Sequence, residues 1–267
     1  MKLYLCGIKS YQLDLGIECL AFTDPRLERT LQGIKRDHNE PQQPERTPLT
    51  RPFLLRILSA LQESDYNAIV TRAAFTLAFA AFLRVGEFTY RQQDLELGTA
   101  FRKWFLTKNS ISISTGRTHM ELNLPASKTD PFRHGIRLII ASSNDAGCPV
   151  RAMKQLIQSD THRPPHAPLF CIERNEQHPF TREHVVRRLQ ELAIVGGLRS
   201  GAWNGHSFRR GAATWAAEVG LSESQIQTLG RWKSDAYKTY IEYPIDERIA
   251  LSRRLQRPPT TRLQYQL

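Results

Sequence analysis

The sequence predicts a mixed α+β protein, mostly helical, with one small three-stranded antiparallel sheet. Three observations carry that expectation. Apolar residues recur at helical spacing over most of the chain. The period falls to two in three short runs between Ile111 and Ala141. The 267 residues, 40% hydrophobic and 24% charged, are enough for one domain with a full core and a small second one.

Residues 1–36 read as two short helices, one on Leu3, Leu5, Ile8, Leu13 and Ile17, the other around Leu27–Ile34. Two such helices cannot bury a core of their own, so they are expected to be the remnant of a small helical domain or to lean on the main one. Residues 37–50 are a linker, since RDHNEPQQPERTPLTRP holds four prolines and little that is apolar. The main domain is expected over 51–257 and a flexible tail over 258–267. Thr50 is placed to cap a helix whose first turn holds Pro52, ahead of FLLRILSAL. AIVTRAAFTLAFAAFLRVGEF is apolar on nearly all faces, which marks a buried helix stopped by Gly86. Then ISIST, MELNL and IRLIIA read as strands, joined at Gly116 and through SKTDPFRHG. Pro149 opens a helix, Thr181 caps another through Leu192, and helical spacing resumes from Ser207 with breaks at Gly220, Gly230 and Pro244. A helix starting near Ser234 carries Tyr240. A further short helix is expected over Ile245–Gln256, with Leu251 and Leu255 four apart. No internal repeat is visible.

The net charge is +11 and it is unevenly placed. Residues 1–45 hold six Lys/Arg against seven Asp/Glu, so the remainder holds 31 against 19, net +12. Such a field concentrates polyanions, nucleic acid first and an anionic membrane second. A membrane-surface role lacks the basic amphipathic helix it needs, and no apolar run is long enough to span a bilayer. The polar-broken N-terminus makes a poor secretion signal. Cys6, Cys19, Cys148 and Cys171 form no CxxC pair, which fits free thiols in a reducing compartment. Cys148 and Cys171 with the histidines between His162 and His184 match no standard zinc spacing.

The chemistry concentrates in HSFRRGAATWAAEVG and GRWKSDAYKTYIEY. A tyrosine hydroxyl, with a pKa of about 10, is a weak nucleophile near neutrality. It becomes useful against an activated electrophile held in fixed geometry, and a phosphodiester is one if cations offset its charge. Arginine suits that task because its planar fork stays charged and donates parallel hydrogen bonds. The leaving oxygen then needs a proton from a general acid. His206 and Arg209, three apart on a helix, share one face. Arg84 ends a buried helix, where a guanidinium needs a partner or a cleft. Lys128 sits where a strand gives way to a turn, Trp232 lies just past Gly230, and Tyr240 follows. Taken singly, each has an ordinary role: helix cap, salt-bridge partner, surface lysine, core packing. Tyr237 and Tyr243 compete with Tyr240 on composition alone.

In combination, Arg84, Lys128, His206-x-x-Arg209, Trp232 and Tyr240 resemble the tyrosine recombinase (phage integrase) family. FLRVGEF resembles its first-arginine motif, LPASKTDPFRHG its lysine-bearing hairpin, and GHSFRRGAATWAAEVGLSESQIQTLGRW its His-x-x-Arg block. GRWKSDAYKTYI is most similar to the Crypton- and DIRS-like recombinases of eukaryotic mobile elements. The resemblance covers roughly residues 48–245. It implies the catalytic-domain fold of that family, with residues 1–36 a shortened piece of its helical core-binding domain. It implies DNA integration and site-specific recombination: Tyr240 attacks the scissile phosphate to form a 3′-phosphotyrosine, and Arg84 and Arg209 clamp the non-bridging oxygens. Lys128 protonates the leaving 5′ oxygen, His206 assists, and Trp232 buttresses the phosphate. The implied partners are double-stranded DNA and, on DNA, three further copies of the chain in a homotetramer, with a monomer when free. No cofactor, neither ATP nor metal, is implied, and the location is intracellular, the nucleus in a eukaryote. The chain departs from the family where a histidine or tryptophan directly follows the glycine. Here Arg231 takes that place, nine residues before Tyr240, and Trp232 stands eight before it. Either can fill the role. The competing readings are a recombinase-derived DNA-binding protein without activity, which the short front end favours, and a type IB topoisomerase.

Overall fold

The computed structural model describes residues 2–37, 47–62, 65–126, 132, 134–198, 203–232, 234–235 and 238. By internal contacts the chain divides into two units, Met1–Glu45 and Arg46–Leu267.

The first unit holds α1 (Lys2–Asp14), a 3-10 turn (Leu20–Phe22) and α2 (Pro25–Asp37). Asp24 precedes Pro25 and takes the backbone N–H of Arg26 at 2.8 Å. Where side chains are described in this unit, none is buried, and Tyr4, Tyr11 and Leu20 are largely exposed. Among the described side chains of this unit, none is packed into a buried core.

The second unit is built around α4 (Tyr66–Ala80), which Asp65 caps by accepting from Ala68 N. Its apolar residues run around the whole helix because neighbours cover it on several sides. α3 (Arg51–Ser59), α6 (Pro149–Ser159) and α8 (Ser207–Glu218) all pack on it. Phe75 meets Phe208 edge-on at 4.9 Å between ring centres, and Phe88 meets the same ring at 6.1 Å. Burying such aromatic side chains contributes about 1.5–3 kcal/mol each. Leu49 N–H donates to Ser207 O at 3.0 Å, which ties the segment before α3 to the start of α8.

α4 stops earlier than expected. Phe82 adopts a left-handed conformation (φ 51°), its N–H bonds Phe79 O at 3.2 Å, and Leu83 N–H reaches back to Ala78 O at 2.9 Å. This is a Schellman turn with phenylalanine where glycine is usual. Gly86, the expected stop, lies instead inside a short helical turn, α5 (Val85–Phe88).

The expected sheet is present: β1 (Ile111–Ile113), β2 (His119–Leu124) and β3 (Ile136–Ala141), in that order and antiparallel. Met120, Leu122 and Leu124 alternate inward, with Met120 opposite Ile140 and Leu122 opposite Leu138. A second hairpin joins β4 (Cys171–Ile172) to β5 (Asn175–Pro179). It is short and polar, so alternation gave no sign of it. Its turn residues Glu173 and Arg174 both have positive φ, the geometry that matches strand twist.

α7 (Arg182–Val195) is capped by Thr181, whose hydroxyl accepts from His184 N at 3.1 Å. Cys148 caps α6 through sulfur, and Cys171 lies 3.6 Å from the Tyr66 hydroxyl. Asp160 and Arg163 form a buried ion pair. α9 (Glu223–Gly230) starts with a capping box between Ser222 and Gln225. No helix among the described residues is long and apolar enough to cross a membrane.

Candidate active site

The ends of α4 and α9 build the site. α9 finishes as α4 does: Arg231 is left-handed (φ 57°), its N–H bonds Thr228 O at 3.1 Å, and Trp232 N–H returns to Gln227 O at 3.0 Å. A left-handed non-glycine residue costs about 1–2 kcal/mol. Two such turns, at Phe82 and at Arg231, point the carbonyls of Phe82 and Gly230 at one guanidinium.

That guanidinium is Arg209. It is 1% exposed, its Nη1 donates to Phe82 O at 2.6 Å, and its Nη2 donates to Gly230 O. The Trp232 ring covers its face, with Cζ 4.2 Å from the ring centre. Trp232 also packs edge-on to Phe82 at 6.0 Å. Its ring requires Gly230, because a Cβ there would lie 1.5 Å from Trp232 Cζ3. A buried guanidinium is tolerable only when hydrogen-bonded; here two helix-end carbonyls accept from it and an indole covers its face. Arg210, its neighbour in sequence, is less buried.

Arg84 lies two residues past the Phe82 turn, at the N-cap of α5. Glu87 serves it twice: Oε2 accepts the backbone N–H and Oε1 accepts Nη1, both at 2.9 Å. Glu87 Oε2 also accepts from Arg231 Nη2 at 2.9 Å. Arg231 Nη2 lies 3.3 Å from Phe82 O, the oxygen that Arg209 uses. Glu87 thus bridges Arg84 and Arg231, and the Phe82 carbonyl bridges Arg231 and Arg209. Among the described residues, three guanidiniums are set against one carboxylate, a formal excess of two positive charges. Burial pushes the Arg231 pKa down, Glu87 pulls it back, and Arg84 pushes it down again. These groups together favour an anion.

His206 occupies the N-cap position of α8, half-buried, with its N–H on Asn204 Oδ1 at 2.8 Å. The residue before it, Gly205, sits so close to α5 that a Cβ there would come 2.4 Å from Val85 Cγ1. This contact brings the start of α8 beside the residue that follows Arg84. The structure therefore gathers Arg84, Arg209 and Trp232, and anchors the His206 backbone beside them. Lys128 and Tyr240 lie outside the described residues, as does the Ile245–Gln256 segment. A cleft of about 720 Å³ opens beside the ends of β2 and β3, edged by Arg102, Lys103, His134 and Arg137. Arg231 was legible only as an alternative to Trp232; its sign was its place directly after Gly230.

Residues 139–243 match the phage integrase family model. Among solved structures the chain is similar to XerA recombinase, at 14% identity and a TM-score of 0.55, covering 83% of this chain and 68% of that one. It is also similar to XerH site-specific recombinase in a post-cleavage complex with a palindromic difH substrate. That match has 12% identity and a TM-score of 0.57, over 79% of this chain and 53% of that one. The pre-cleavage XerH complex matches at 14% identity and a TM-score of 0.54, with 77% and 53% covered. The chain thus spans about half the length of XerH and about two thirds of XerA. No curated protein matches it by sequence. The fold is that of the tyrosine recombinase catalytic domain.

Proposed function

We propose that the chain breaks and rejoins DNA through a covalent phosphotyrosine, as a site-specific recombinase or integrase. One observation carries the reading: in a chain of this fold, Arg84 and Arg209 are brought to adjoining helix ends from positions 125 residues apart in sequence. In this reading a scissile phosphate enters beside the guanidinium cluster. Arg84 and Arg209 hold its non-bridging oxygens and His206 assists from the N-cap of α8. The Tyr240 hydroxyl gives up its proton to His206 and its oxygen bonds to phosphorus as the bond to the 5′ oxygen breaks, and Lys128 gives that oxygen a proton. Rejoining reverses these steps, so no external energy source enters. Trp232 fixes Arg209 by lying across its face. The net charge of +11 supports double-stranded DNA as the partner.

The finer assignments rest on sequence resemblance. The text GRWKSDAYKTYI supports an element of the Crypton- and DIRS-like branch, and with it an intracellular site of action, nuclear in a eukaryote. A homotetramer on DNA, assembled from monomers, follows from the same likeness. A second reading, DNA binding without cleavage, draws on Arg209 itself. Both its Nη atoms donate to carbonyls and it is 1% exposed, so it must open toward a phosphate.

The test uses a library of nicked suicide duplexes with a randomised core, from which covalent complexes are isolated and sequenced. The recombinase reading expects adducts that vanish in Tyr240→Phe. Salt-sensitive binding with no adduct supports the second reading instead.

A further inference from the structure

Arg231 stands out among the buried side chains of the second unit. Its side chain is 9% exposed, yet Nε and Nη1 have no hydrogen-bond partner among the described residues. Buried N–H groups left in that state are rare, and a bound water or ion is one of the few things that accounts for them. The remaining nitrogen, Nη2, is bound to Glu87 and Phe82 O, which also hold Arg84 and Arg209. The unfilled donors therefore lie within the guanidinium cluster. The backbone gives a second sign. Arg231 holds a left-handed conformation that glycine fills without strain, so the position keeps a costly residue for its side chain. Trp232, by contrast, has its ring committed to the face of Arg209 and the edge of Phe82.

We propose that Arg231 is a third phosphate-binding guanidinium, which offers Nε and Nη1 to an oxygen of the scissile phosphate, and that Trp232 is a positioning residue for Arg209. The assignment rests on the recombinase reading for the identity of the anion. It divides the two neighbouring residues by role: Arg231 touches the reacting group, and Trp232 acts through Arg209. Burial and the Arg84 charge both push the Arg231 pKa down, so an anion beside it relieves the cluster's excess charge.

The experiment compares wild type with Arg231→Ala, Arg231→Gly and Arg231→Lys in single-turnover adduct formation on the sequence recovered from the suicide library. Each is run on an ordinary scissile phosphate and on a methylphosphonate, which lacks one negative charge. Arg231→Gly suits the left-handed turn and keeps the fold if alanine does not. Loss of a transition-state donor lowers the rate by about 10²–10³-fold. We expect that loss for alanine and glycine on the phosphate, partial retention for lysine, and most of the loss removed on the methylphosphonate. An equal loss on both substrates assigns Arg231 a structural role and overturns the proposal, as does a wild-type rate in Arg231→Gly. A parallel arm needs no cleavage: thermal unfolding with inorganic sulfate replacing chloride at fixed ionic strength. Sulfate should raise the midpoint of wild type and of Arg210→Ala by more than that of Arg231→Gly, which keeps only the general salting-out gain. If wild type forms no adduct, the recombinase reading fails while the sulfate arm still decides the anion site. Equal sulfate stabilisation of wild type and Arg231→Gly overturns that site.

Discussion

Glu87→Gln tests the electrostatics of the cluster. The carboxylate is 5% exposed and accepts from Arg84 N and Arg231 Nη2 at Oε2 and from Arg84 Nη1 at Oε1. A glutamine amide can keep the Oε2 bonds, but it then sets an NH₂ donor against the Arg84 Nη1 donor. It also leaves the Arg231 guanidinium, 9% exposed, and the Arg84 guanidinium, 21% exposed, without this carboxylate. Removing one partner of a buried ion pair costs about 3–5 kcal/mol. Two retained hydrogen bonds and the partial exposure of Arg84 put glutamine near the lower end, about 3 kcal/mol. For a domain of this size that lowers the melting midpoint by roughly 6–12 °C. Urea unfolding checks it, with a reduced midpoint concentration and an unchanged slope. The double-mutant cycle with Arg231→Met is the sharper test. Once the carboxylate charge is gone, removing the buried guanidinium should cost less than in wild type, with a coupling of about 1–3 kcal/mol. A loss below about 1 kcal/mol for Glu87→Gln, together with additive effects in the cycle, refutes the reasoning.

Other outcomes follow from the same structure. Gly230→Ala places a Cβ 1.5 Å from Trp232 Cζ3, so the ring must leave Arg209. Indole fluorescence should shift, and adduct formation should fall at least tenfold; an unshifted spectrum contradicts the packing. Burial lowers the His184 pKa from 6.5 to about 4, so the unfolded chain binds its proton first on acidification. Stability from this group is present above pH 6.5 and is lost as the pH falls toward 4. His184→Gln should flatten that limb of the stability profile, and superimposable profiles disprove the contribution. Asp160→Asn breaks the buried pair with Arg163 at a cost of about 3–5 kcal/mol, read by urea unfolding, and should leave the adduct rate per folded molecule unchanged. DNA affinity should fall log-linearly with salt, with a slope of about −0.9 per phosphate neutralised. A flat salt response argues against a polyanion partner.

The sequence made the order of elements legible because their signals are local. Pro149 and Thr181 mark helix starts, and Met120, Leu122 and Leu124 alternate because one sheet face is buried. Gly230 and Trp232 pointed to the helix end that shapes the Arg209 site. The turn at Phe82 was not legible, since a left-handed phenylalanine carries no compositional sign and Gly86 looked like the better stop. The division between Arg231 and Trp232 was hidden for a related reason. Adjacent side chains diverge only once the left-handed turn is formed, one to Glu87 and the other across Arg209. The β4–β5 hairpin depends on turn geometry at Glu173 and Arg174 more than on any apolar period.

The central claim, that this cluster serves strand cleavage by Tyr240, is tested most directly by mass spectrometry of protein trapped on the suicide duplex. Cleavage by Tyr240 gives a DNA-linked peptide modified at that residue, absent from Tyr240→Phe and strongly depleted in Arg209→Ala. Tight, salt-sensitive DNA binding with no modified peptide, or an adduct that persists in Tyr240→Phe, contradicts it.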